Sequence, residues 1–111
     1  APNKNKFKGV ELPVSEKTCE LIDKRWNKWL KHDPLHMIEE ESLQENLKSL
    51  QGLYIDCGFR DQYHLHYGAR QFSEKLEKYS IPHTFEEFDG THSNTNHRMD
   101  ISLPFLYKKI K

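Results

Sequence analysis

No stretch of this 111-residue chain is apolar for anywhere near the roughly 20 residues that a membrane-spanning helix needs, so no membrane partner is expected. Neither sign of charge is in excess, with 17 Lys and Arg against 17 Asp and Glu. That balance argues against nucleic acid as the main partner. The basic residues are spread out, apart from Lys108, Lys109 and Lys111, which suit the C-terminal end of a helix. Cysteine is scarce: Cys19 on an expected helix and Cys57 at an expected strand end are read as reduced thiols, which slightly favours a cytoplasmic setting. The first residues lack the charged-then-apolar pattern of a secretory leader, and the chain does not begin with Met. Apolar residues make up 35% and charged ones 31%, a composition that leans toward a piece of a larger fold or an oligomer. At this length one domain is the ceiling.

What is present has a clear order. Residues 1–14 are polar and irregular and read as an extended arm. Residues 15–50 read as a helical cap or linker. Its first helix spans 15–32, with Ser15 as cap and Cys19, Ile22, Trp26, Trp29 and Leu30 drawing one apolar stripe. Asp33-Pro34 restarts a helix, Asp at the N-cap and Pro at the first helical position. Leu43, Leu47 and Leu50 continue the helical spacing to a stop at Gly52. Residues 51–111 read as a β-α-β-α segment. Residues 53–58 and 83–88 are the strands. Between them Leu65, Ala69, Phe72, Leu76 and Tyr79 mark a crossover helix over 65–79, which Ile81-Pro82 ends. A last helix covers about 98–110, with a kink or break expected at Pro104. Strand, helix, strand predicts a parallel pair with a right-handed crossover, hence an α/β fold with an incomplete sheet. Two parallel strands alone leave both edges open and are marginal.

In open α/β sheets the chemistry collects beyond the carboxyl ends of the strands. Asp61 follows the first strand, and His92 follows the second. A carboxylate beside an imidazole fixes its tautomer and stabilises the imidazolium formed on proton transfer, so the pair fits the acid and base of a Ser…Asp…His series. Spacing alone leaves two roles open for each: Asp61 also suits a turn or helix cap, and His92 a solvated loop. The serine is missing, because none of the seven serines sits in a Gly-x-Ser-x-Gly elbow. Cys57 lies within a strand end and has no visible activation. Asp61-x-x-His64-x-His66 has the look of a metal-ligand cluster, but it falls in a loop leading into a helix, so no metal and no cofactor is expected. His32, His36, His83 and His97 read as surface residues. Trp26 and Trp29 are core or helix-packing residues more readily than pocket walls.

Taken together, Leu53-Tyr-Ile-Asp-Cys-Gly-Phe-Arg-Asp61-Gln-Tyr-His-Leu-His-Tyr-Gly68, Phe85-Glu-Glu-Phe-Asp-Gly-Thr-His92 and Ser102-Leu-Pro-Phe-Leu106 carry a resemblance. They resemble the C-terminal part of the α/β-hydrolase family that holds the esterase D-type and enterochelin-esterase-type enzymes. Trp26-x-x-Trp29-x-x-x-Asp33-Pro34 also looks like the cap or linker before the seventh strand of some members, so the resemblance runs over about residues 12–107. It implies that strands 53–58 and 83–88 are the last two of the usual eight, that Asp61 is the triad acid and that His92 is the triad base. It further implies that the nucleophile and oxyanion-hole loop lie on sequence not present here, so that the chain is the C-terminal segment of a serine esterase and inactive alone. The expected partners are a small-molecule ester in the whole protein, and either the absent N-terminal part or a second copy of the chain. The competing expectation is a non-catalytic binding module that self-associates along its open sheet edge.

Overall fold

The structure, a computed structural model, describes residues 2–6 and 9–111. Ala1, Phe7 and Lys8 of the expected arm lie outside the described residues. The chain divides into two compact units, Ala1–Met37 and Ile38–Lys111.

In the first unit the arm is folded back by two isolated antiparallel bridges, Pro2 to Val10 and Val14 to Leu21. The helix expected from residue 15 begins instead as α1, Asp23–Leu30. The cause is local. The Ser15 hydroxyl accepts the amides of Lys17 and Thr18, both at 3.3 Å, and Cys19 turns left-handed at φ 60°. A serine that caps its own neighbours builds a turn in place of a helical start. Trp29 donates its indole N–H to the Glu11 carbonyl at 3.3 Å. A short helix, α2 (Pro34–Met37), starts where Asp33-Pro34 predicts: Asp33 Oδ1 accepts the Leu35 amide at 3.0 Å.

The second unit holds α3 (Glu41–Lys48), β1 (Tyr54–Gly58), α4 (Leu65–Lys78), β2 (Thr84–Phe88), a 3-10 turn at Thr95–Arg98 and α5 (Met99–Ile110). The strands pair in parallel, Tyr54 opposite Thr84 through to Gly58 opposite Phe88. Strand alternation puts Ile55, Cys57, Phe85 and Glu87 on one face, and Tyr54, Asp56, Thr84, Glu86 and Phe88 on the other. The first face carries the apolar core: buried Ile38, Leu76 and Ile81, with Leu47, Leu53, Ile55, Phe72 and Tyr79 packed against them.

The end of α4 explains much of that core. Ser80 takes the left-handed conformation at φ 54°, the Ile81 amide reaches back to the Leu76 carbonyl at 2.8 Å, and the Ser80 amide reaches Glu77 at 3.0 Å. This is a Schellman ending, and its hydrophobic contact falls between Leu76 and Ile81. The core face of α4 differs from the expected stripe by one position: Leu65 is 53% exposed, whereas His66 and Ser73 are buried. Ser73 is satisfied by donating to His83 Nε2 at 2.7 Å, while His83 Nδ1–H donates to the Ile81 carbonyl at 3.0 Å. His83, expected at the surface, is a half-buried tie between α4 and β2.

The second face is organised by one cation. Arg98, at the end of the 3-10 turn, donates to Asp56 at 2.9 Å, to the Tyr54 hydroxyl at 2.8 Å and to Glu86 at 2.6 Å. Its guanidinium also lies 4.8 Å from the Phe88 ring centre. The Asp56 bond above all holds its charge firmly, with Glu86 adding to it against the cost of burial. Behind it Phe105 of α5 packs on Tyr54, with ring centres 5.3 Å apart. Pro104 does not break α5: the helix continues through it to Ile110. The fold is therefore a mixed helix and strand arrangement with two parallel strands in an open sheet.

Replacing Arg98 by Ala should free α5 from the sheet before α4 is affected. Hydrogen exchange should show the α5 amides losing protection while those of α4 keep theirs; equal loss in both helices would contradict this division of labour.

Candidate active site

The site grows out of strand pairing that continues past the strands. Beyond β1 the Phe59 amide donates to the Phe88 carbonyl and the Arg60 amide to the Gly90 carbonyl, both at 3.0 Å. The two loops after the strands thus run side by side. A side chain at position 58 would forbid this, because a Cβ there would sit 2.3 Å from the Gly90 oxygen. Gly58 is glycine for close approach, not for an unusual backbone angle. The Asp61 amide then closes a turn onto the Gly58 carbonyl at 3.0 Å, which points the Asp61 side chain back inside.

Asp61 is buried, its side chain 2% exposed. One oxygen accepts the Tyr63 amide at 2.7 Å, and the other accepts His92 Nδ1–H at 3.0 Å. Burial alone would push this carboxyl up. The Tyr63 amide, the His92 bond and charge, and the Leu65 amide outweigh it and hold Asp61 below the ordinary carboxylate range. An ionised, buried acceptor on Nδ1 assigns the proton to that nitrogen and leaves the Nε2 lone pair free. His92 is 52% exposed at its side chain, and its Nε2 has no hydrogen-bond partner among the described residues. Its backbone amide donates to Gln62 Oε1 at 3.1 Å, and its ring meets the Tyr63 ring edge-on at 5.2 Å.

Such an imidazole can take a proton at Nε2 and return it, with the carboxylate stabilising the cation in between. No serine, threonine or cysteine among the described residues bonds to Nε2. Cys57 is no substitute. Burial first, then the negative charges of Asp61, Glu87 and Asp56, raise its thiol above the usual value, against nucleophilic use. Both cysteines are free thiols.

The other histidines do not join the pair. His64 precedes α4 in the left-handed region at φ 59°, and His66 is buried with Nδ1 unpartnered. Among the described residues no three His, Cys, Asp or Glu side chains cluster as a metal site. His36 binds Asp33 at 3.1 Å, and His97 binds the Asn94 carbonyl at 2.9 Å. Sequence reasoning missed Gln62, Tyr63 and the Gly58–Gly90 approach. The trace it had was a glycine at the end of β1 and another just after β2.

No protein-family profile matches the chain, and neither does any curated protein. Among solved structures, a chain described as a ferulic acid esterase resembles it at a TM-score of 0.57 and 19% identity, covering 89% of this chain and 38% of its own. This chain thus spans well under half the length of that esterase. The likeness is one of fold, an esterase-like α/β arrangement at the coarse level.

Two outcomes follow from this geometry. Gly58→Ala should lower the unfolding free energy by about 1–3 kcal/mol, since backbone must move to admit the methyl group; a neutral result in a denaturant titration would contradict the close approach. Because the Asp61 value is lowered on folding, its contribution is present above about pH 4 and lost as pH falls through the folded value. Asp61→Asn should therefore make the acid-side fall in stability shallower, measured by unfolding at a series of pH values from neutral downward. An unchanged slope would count against the carboxylate as drawn.

Proposed function

We propose that this chain is the acid-and-histidine part of a serine hydrolase acting on acyl esters, of the esterase D and enterochelin-esterase kind. The observation that carries the reading is the bond from His92 Nδ1–H to the buried Asp61 carboxylate, made from consecutive parallel strands in acid-then-histidine order. The coarse esterase-like fold supports it.

In this reading a serine on sequence outside these 111 residues attacks the acyl carbonyl while its proton passes to His92 Nε2. Asp61 stabilises the imidazolium. The proton then goes to the leaving alkoxide, giving free alcohol and an acyl-serine. Water repeats the sequence: it loses a proton to Nε2, attacks the acyl carbon, and the serine leaves with that proton, releasing the carboxylic acid. Lacking nucleophile and oxyanion donors, the chain alone is inactive. Its partner is then the remainder of the same protein, set against the outer edge of β1. A second reading, self-association of a non-catalytic module, draws on a different observation, that among the described residues the sheet has two strands.

Two measurements separate the readings. If the reading frame upstream encodes a strand followed by Gly-x-Ser-x-Gly, the longer protein should cleave simple acyl esters, with a ferulic acid ester among the first to try. His92→Ala there should lower kcat by roughly 10⁴- to 10⁶-fold and Asp61→Asn by about 10⁴-fold. Near-wild-type turnover in His92→Ala would end the hydrolase reading, and a stable dimer of the 111-residue chain in light scattering would favour the second.

A further inference from the structure

We propose that Gln62 is a positioning residue for His92, a role that rests on reading Asp61 and His92 as acid and base. The backbone ties between the two loops stop at the Arg60 amide and the Gly90 carbonyl. His92 lies two residues beyond that point, in irregular chain and with its side chain half exposed. It lies outside the strand ladder and is exposed. Among the described residues its backbone is held by one bond, the amide donating to Gln62 Oε1 at 3.1 Å.

Gln62 thereby takes over where the main-chain pairing ends. Its neighbours on either side complete the arrangement. Asp61 accepts the imidazole proton, and Tyr63 supplies both an amide to Asp61 and a ring edge to His92. Three consecutive residues therefore fix, in turn, the ring proton, the backbone and the ring plane of one histidine. The charged groups nearest along these loops, Arg60 and Asp89, pair with each other at 2.6 Å and do not replace this bond. Gln62 is exposed, so its replacement leaves the apolar core intact.

The test uses the 111-residue chain and needs no catalysis. Nitrogen-15 spectra of the imidazoles report which ring nitrogen of His92 carries the proton, and hydrogen exchange reports its backbone amide. Gln62→Ala should let the His92 amide exchange roughly fivefold faster, the effect of losing one hydrogen bond. It should also convert the single Nδ1–H tautomer into a mixture. Gln62→Glu, which keeps an acceptor oxygen, should restore amide protection. Asp61→Asn should release the tautomer while leaving the amide protected. Wild-type tautomer and exchange in Gln62→Ala would overturn the positioning role. An unchanged tautomer in Asp61→Asn would overturn the acid–base reading beneath it, so the two failures are told apart.

Discussion

The site depends on a backbone constraint: parallel pairing between β1 and β2 does not end with the strands. Two further amides, Phe59 and Arg60, keep the chain after Gly58 beside the chain after Phe88. Parallel strands bring both loops out at the same end of the sheet, so an acid from one and a histidine from the other share a neighbourhood. The glycine approach makes that neighbourhood tight enough for direct contact. With antiparallel strands the same two loops would leave from opposite ends.

The faces of the sheet are held by different physics. The α4 face is apolar, centred on Leu76 and Ile81, and relies on removal of surface from water. The other face carries Tyr54, Asp56 and Glu86, which no apolar helix would cover cheaply. Arg98 resolves this by meeting all three at once through a planar, multiply donating head. Glu86 consequently sits below the ordinary carboxylate range, owing first to the Tyr54 hydroxyl and then to Arg98. Asp61 and His92 emerge just past the carboxyl ends of the two strands.

Much of this was legible in the residues. Both strands and the crossover helix follow from period and punctuation and fall within a residue or two of the expected bounds, whereas the helix restarted at Asp33-Pro34 begins where expected but ends at Met37, with Glu41–Lys48 a separate helix in place of one run to Gly52. Asp61 and His92 stood out because each follows a strand and a glycine. What periodicity cannot see is a polar side chain used as core. Ser73 lies in the buried stripe of α4 because it finds His83 ten residues on and its hydroxyl is satisfied, while His66 is buried there with Nδ1 unpartnered and Leu65 is exposed. A hydrophobic scale places such residues outside. Ser15 misled for a related reason: its hydroxyl binds Lys17 and Thr18 in a turn, a pattern that a cap and a turn share. Gln62 was invisible, since nothing in a lone glutamine announces that its partner is a backbone amide thirty residues away.

The separation between Asp61 and His92 along the chain, 31 positions, has a consequence of its own. No local segment can assemble the pair. Until the crossover helix has folded and the second strand has docked, the imidazole has no contact with its carboxylate. Under the proposed function the pair acts as an interlock: its competence in proton transfer arrives together with tertiary structure.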